Sequence, residues 1–259
     1  MAKWQKGSKQ YLDGFPIFFY GCGSHKLYRK LEPLNVPIQF SIENTKGLCK
    51  DLPIDMLDNP FLKTLSTKTT KTKLDARFYF SEVERIRPGF AVFPDWICLA
   101  DNISIIEDLS TDVEWIVPIT SDPSDSTVSI LRGEGIIAGL PVRLGYAFVL
   151  RQLNRLLKVG VRVHILGFRF KKQFRELLHN RLYDIYSLDT HYFIFMGMHG
   201  KYLNGNLLFD SVRGRGMYYQ CVVASVMEFE RFRMRRQGEH RDDIHERLHR
   251  PSGLLRFAP

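Results

Sequence analysis

"VHILGFRFKKQFRELLHNRLYDIYSLDT", residues 163–190, reads as strand, helix, strand. An apolar run begins at Val163 and stops at Gly167. "FKKQFRELLHNRL" (170–182) then brings Phe170, Phe174, Leu177 and Leu178 to one side at helical spacing. "DIYSLDT" (184–190) is extended again and ends on a carboxylate, Asp189. Two strands joined through an amphipathic helix predict a parallel βαβ unit. Asp189 itself has two readings, a turn or helix-capping residue or a catalytic group, since Asp is favoured in both settings.

The same rhythm extends towards the N-terminus. "FPIFFYG" (15–21), "VPIQFSI" (36–42), "GFAVFPDWI" (89–97), "EWIVPIT" (114–120), "GIIAGLPVR" (135–143) and "RVHILGF" (162–168) read as further strands. Several are apolar at consecutive positions, as in a parallel sheet covered on both faces. "YAFVLRQLNRLLKVG" (146–160) sets Phe148, Leu150, Leu153, Leu156 and Leu157 along one side, with Gly160 as a stop, and "NISIIEDLS" is a shorter helical pattern. Strand and helix in alternation over 259 residues predict an α/β fold of the (β/α)8 TIM-barrel type, with a doubly wound open sheet as the alternative. The barrel is expected over 1–212 and a basic helical segment, packed on it or extending from it, over 213–259, while Lys- and Thr-rich 62–78 reads as an exposed loop.

The hydrophobic fraction of 44% and charged fraction of 25% are those of an ordinary globular protein, which excludes a disordered or fibrous chain. No apolar run nears the ~20 residues of a membrane helix. The basic start "MAKWQKGSKQ" lacks an apolar segment behind it, so neither a secretory leader nor a membrane partner is expected. Cys22, Cys49, Cys98 and Cys221 show no CxxC spacing, which fits reduced thiols in a cytoplasm, the host's if the protein is viral. A net charge of +9 suits a polyanionic partner, nucleic acid foremost, and equally suits a solvated basic surface.

Barrel enzymes carry their chemistry at the C-terminal ends of the strands. Polar residues ending the proposed strands are Asp58, Asp95, Asp101, Ser121, Asp122, His164, Gly167 and Asp189, aspartates for the most part. Each alone is a plausible cap or turn residue, Asp101 before "NISIIEDL" above all.

The closing unit resembles the tRNA-guanine transglycosylase superfamily, in which a His/Leu-Gly strand, a helix and a strand ending in a nucleophilic aspartate follow in order. "SLDT" is most similar to the DNA-modifying branch of phages and bacterial genomic islands, whose last strand ends in Ser-x-Asp. "FFYGCGSHKLYRKLEPLNVPIQFSI" looks like that branch's opening, "DMLDNPF" stands where an Asp-Ser-Gly-Gly-Phe motif belongs, and "GFAVFPDWICLADN" is similar to its Pro-Asp strand. "WIVPITSD" and "IIAGLPVR" fall where a polar pair and a base-pocket glycine strand would lie. The chain departs from the pattern at Asn59-Pro60, which replace Ser-Gly-Gly, and at the glycine strand, which offers only Gly139. It also lacks the clustered cysteines of the zinc-binding tRNA enzymes.

The resemblance implies an exchange of guanine in DNA for a 7-deazaguanine such as preQ0, through a covalent aspartyl–nucleotide intermediate. Asp189 would be the nucleophile and Asp58 its partner in proton transfer. Asp95, Asp101, Asp122, His164 and Gly167 would surround the base, with the Gly139-Leu140 backbone facing its carbonyl. Lys171, Lys172 and Arg175 would meet phosphate, as would the basic runs "KTLSTKTTKTK" and "RFRMRR". No cofactor is implied, and His245 and His249, set among arginines, read as a solvated helix face rather than metal ligands. Two alternatives stay open: a tRNA substrate, or a nucleic-acid-binding barrel without chemistry. A phosphate-handling barrel is disfavoured, because no Gly-rich loop opens a late helix.

Overall fold

The computed structural model describes residues 16–41, 54–58, 76–94, 106, 112–212 and 217–237. Eight parallel strands close on themselves in chain order: β1 (Ile17–Gly21), β2 (Ile38–Ser41), β3 (Met56–Asp58), β4 (Phe90–Val92), β5 (Glu114–Pro118), β6 (Ile137–Pro141), β7 (Val163–Leu166) and β8 (Ser187–Thr190). β8 returns to β1 in register, with Phe19 opposite Asp189. The closed ring rules out the open-sheet alternative. Helices α1 (His25–Leu31), α2 (Ala76–Ile86), α3 (Asp125–Gly133), α4 (Tyr146–Lys158) and α5 (Lys172–Arg181) form the outer shell.

The consecutive apolar letters of the strands are explained by two cores, one on each side of the barrel wall. Alternation along a strand sends Phe18 and Tyr20 outwards to the helices and Phe19 inwards to the axis. The inner core holds Phe19, Met56, Phe90, Val92, Ile116 and Ile137, and the Phe19 and Phe90 rings meet edge to face at 5.0 Å. The outer core is larger and takes in Ile38, Leu57, Trp115, Leu140, Ile165 and Leu188 with the buried helix faces. On α4 the buried positions are Val149, Gln152, Leu153 and Leu156, while Phe148, Leu150 and Leu157 flank them half-buried. Strand β3 is only three residues long, too short for its own periodicity to announce it.

After β8 come α6 (Tyr192–Met198), an antiparallel hairpin of β9 (Lys201–Leu203) and β10 (Phe209–Ser211), and the long helix α7 (Tyr218–Gln237). The hairpin falls within the part expected to be barrel, although the barrel itself ends at Thr190. Helix α7 is packed on the barrel. Phe229 meets Phe18 edge to face at 4.8 Å, and Glu230 accepts the Tyr20 hydroxyl while pairing with Arg233. Burial, with Glu230 next to it, pushes Tyr20 well above the ordinary tyrosine value. Cys22 and Cys221 are free and buried. Cys49, Cys98, His245, His249, the 102–110 pattern except Ile106, and nearly all of the 62–78 loop lie outside the described residues. Among the described residues no helix is long and apolar enough to cross a membrane, and no group of His, Cys, Asp and Glu could hold a metal ion.

Candidate active site

Strand β8 directs Ser187 and Asp189 to the barrel axis, opposite Ile17 and Phe19 of β1 and beside His164 of β7. These three side chains form one buried chain. The His164 Nε2 lies 2.9 Å from Asp189 Oδ1, and its Nδ1 lies 2.8 Å from Ser187 Oγ. In a neutral imidazole that donates Nε2–H to the Asp189 carboxylate, Nδ1 is left to accept from the serine hydroxyl. The same Oδ1 accepts a second bond, 2.8 Å, from the Gly167 backbone N–H. Gly167 reaches that position with φ +67, where a side chain would be strained. Oδ1 is thus pinned by two donors, whereas Oδ2 accepts no hydrogen bond from the described residues.

Ser187 and His164 are fully buried, so the serine is no nucleophile for an entering substrate despite the Ser–His–Asp order. The chain orients Asp189, whose side chain keeps 4% of its surface exposed. Above it in strand parity, half-buried His191 lays its imidazole over Gly21. A Cβ at Gly21 would sit 2.4 Å from His191 Nδ1, so glycine makes the room for this ring. Burial lowers the His191 pKa below 6.5, partly opposed by the Asp189 charge. Asp58 ends β3 with the same inward parity, in register with Ser41, and both are half-buried. The described mouth therefore offers one oriented carboxylate, a second carboxylate on another strand, and an imidazole biased to its neutral form.

Residues 39–233 match the family described as "Family of unknown function (DUF6610)". The chain belongs to that family. No curated protein matches it significantly. Among solved structures, it is similar to a mutant tryptophan synthase alpha-subunit from Pyrococcus furiosus at 11% identity and a TM-score of 0.53, covering 85% of this chain and 99% of that one. A second structure of the P. furiosus tryptophan synthase A-subunit aligns at 11% identity and a TM-score of 0.51, covering 84% and 99%. At such identities the likeness concerns the fold, and this member of DUF6610 is a TIM barrel.

The remaining candidates in this DUF6610 chain separate. Asp189, His164 and Gly167 share one site, and Asp58 faces the same axis. Leu140 turns its side chain to the outer core between barrel and helices, so that at most its backbone reaches the axis side. Gly139 faces the axis, but its carbonyl accepts from Ile119 N–H, and a Cβ there would press on Leu166 at 2.6 Å and Ile116 at 2.9 Å. Its small size serves interior packing rather than a base pocket. Asp122 is committed to the shell: its exposed carboxylate pairs with Arg151 at 2.9 Å and accepts from Gln152, both on α4. Arg175 reaches the Leu207 carbonyl at 3.2 Å and so steadies the β9–β10 turn instead of standing clear for phosphate. Lys171 and Lys172 are exposed at the start of α5, next to exposed Arg169. Asp95 and Asp101 lie outside the described residues.

His191 and Gln39 are absent from the candidates that the sequence alone supplies. The signal for His191 is simple alternation, because Ser187, Asp189 and His191 fall on one face of an extended chain. Gln39 is the single amide in an otherwise largely apolar strand, on the parity that faces the axis.

Proposed function

We propose that this protein is a base-exchange transglycosylase of nucleic acid, acting on guanine in DNA. Asp189 Oδ2 attacks C1′ of the target nucleotide, the C1′–N9 bond breaks, and guanine leaves with a proton delivered from the mouth. A 7-deazaguanine base such as preQ0 then attacks C1′ from the vacated side, the Asp189–C1′ bond breaks, and the incoming nitrogen gives up its proton. Two displacements retain the sugar's stereochemistry. Asp58 and His191 are the groups on hand for the two proton movements, and a neutral imidazole can accept the proton of the entering base.

The observation that carries this reading is the asymmetry of Asp189. One oxygen is held by His164 and Gly167, which fixes the carboxylate plane, and the other, at the C-terminal end of β8, accepts nothing from the described residues. Orientation of this kind is what a carboxylate nucleophile needs. Exposed Arg169, Lys171 and Lys172 on the adjoining loop and helix start support a phosphate backbone as neighbour. The target base must leave the stack to enter a barrel mouth, at a cost of a few kcal/mol that phosphate contacts offset.

The test is capture of a denaturation-resistant complex with guanine-containing DNA, with tRNA as the parallel arm. Wild type should form it and Asp189→Asn should not. A complex that survives Asp189→Asn removes the nucleophile from its role, and a complex with tRNA alone moves the substrate to RNA.

A further inference from the structure

Gln39 is fully buried, and neither Nε2 nor Oε1 of its amide has a hydrogen-bond partner among the described residues. Native interiors leave very few polar groups in that condition, and each such group calls for a cause. Its position supplies one. Gln39 pairs in register with Gly21 on one side and Met56 on the other, and Met56 belongs to the inner core, so the amide faces the barrel axis.

Its height relative to Asp189 follows from the same registers. Asp189 is opposite Phe19, and Gln39 is opposite Gly21, two residues further along β1. Strands in such a barrel tilt, so constant height means advancing along the chain from strand to strand, and alternate strands supply one layer. Gln39 of β2 and Asp189 of β8 therefore occupy the same layer, on either side of β1. Ser41 and His191 follow two residues further along the chain from Gln39 and Asp189, with Asp58 of β3 at an intermediate level, all half-buried. A ligand that comes down between those groups to reach Asp189 Oδ2 also meets the amide.

We infer that Gln39 is the specificity-determining residue of this site, reading a planar ring edge that carries a hydrogen-bond donor beside an acceptor. A primary amide presents one donor and one acceptor side by side, and a lactam edge such as N1–H with O6 of an oxopurine matches both at once. The ring's identity as a purine base rests on the base-exchange reading, whereas the donor–acceptor requirement rests on Gln39 alone. Ligand selection by an otherwise unsatisfied amide discriminates strongly, because an analogue without the edge leaves the amide bare.

The test uses the full chain, thermal unfolding, and 9-methylguanine as probe, with 9-methylpurine as the edge-free control. Wild type should gain about 2–4 °C with saturating 9-methylguanine and nothing with 9-methylpurine. Gln39→Leu and the more adaptable Gln39→Met remove both polar atoms at similar volume. Without ligand they should unfold at the wild-type temperature or above it, since an unsatisfied buried group has been replaced by an apolar one. Their affinity for 9-methylguanine should fall about tenfold to a hundredfold. Lower melting temperatures in both variants would mean that the amide is already satisfied inside the fold, and would overturn the inference, as would no protection of wild type. Covalent capture that persists undiminished in Gln39→Leu, with unchanged binding, would sink this inference and leave base exchange standing. Gln39-dependent binding without any capture would do the reverse.

Discussion

At the N-terminal end of the barrel, Glu114, Arg162 and Tyr186 close on one another; at the C-terminal end, Gln39 and Asp189 face the axis with bonding capacity that no described residue takes up. The Arg162 guanidinium pairs with Glu114, donates to the Gly135 carbonyl, and stacks over the Tyr186 ring at 4.6 Å. The Tyr186 hydroxyl in turn donates to Glu114 at 3.1 Å. Burial, with the Glu114 charge beside it, pushes that tyrosine up to about 12. Both charges of this floor cluster have a protein partner. At the mouth, among the described residues, Gln39 has none and Asp189 uses one oxygen of two. The floor's polar groups satisfy one another and serve stability. On the proposed reading the mouth's groups complete their bonding with a ligand, and this matches the division of labour between the two ends of such barrels.

The sharpest way to break the comparison is to damage the floor. Glu114→Ala removes the common partner of Arg162 and Tyr186 and should cost about 2 kcal/mol, a fall of roughly 4–8 °C in melting temperature. Covalent capture by the folded fraction should be unchanged, as read in a quench assay below the transition. Loss of capture at full folding would mean that the floor takes part in function and that the two ends are not separable.

A smaller stability effect is expected at the mouth, with the opposite functional outcome. Gly21→Ala drives a methyl into the His191 ring and should cost about 1–2 kcal/mol as the ring moves aside. Capture should drop at least tenfold, because the displaced imidazole no longer stands above Asp189. A Gly21→Ala protein with unimpaired capture would reduce His191 to packing.

The barrel is legible in the sequence because its strands are buried on both faces. Phe18-Phe19-Tyr20 fills outer core, inner core and outer core in turn, so the apolar run itself announces a covered parallel strand. Asp189 stands out because a carboxylate ends such a run. What stays hidden depends on distant pairings. Nothing in "LDTHYF" says that His191 has room, since the room is made by Gly21 across the β8–β1 seam. Gln39 looks like any polar letter in a strand, and its significance lies in the lack of a partner, which no local pattern encodes. Of Leu140 only the backbone can follow Gly139 towards the axis, because alternation turns its side chain to the outer core. The β9–β10 hairpin is hard to read although "LNGN" is a turn signal, because each of its strands is three residues long.

The finest distinction between the two ends is in their response to acid. Burial holds His191 below 6.5, with Asp189 opposing, so protonating it costs more in the folded protein than in the unfolded chain. Its contribution to stability is then complete above about pH 6.5 and shrinks as pH falls towards the lowered folded value. Carboxylates titrate in the same range, which is why the measurement is a difference: the melting temperature of wild type minus that of His191→Asn, followed from about pH 8 to about pH 5. That difference should be flat above about 6.5 and decline below it, by an amount smaller than either substitution above. Glu114→Ala, made in both backgrounds, should leave the shape of the difference curve intact. A difference that stays level throughout would place the imidazole in a solvated setting, and a rise towards acid would mean that Asp189 outweighs burial and holds His191 protonated.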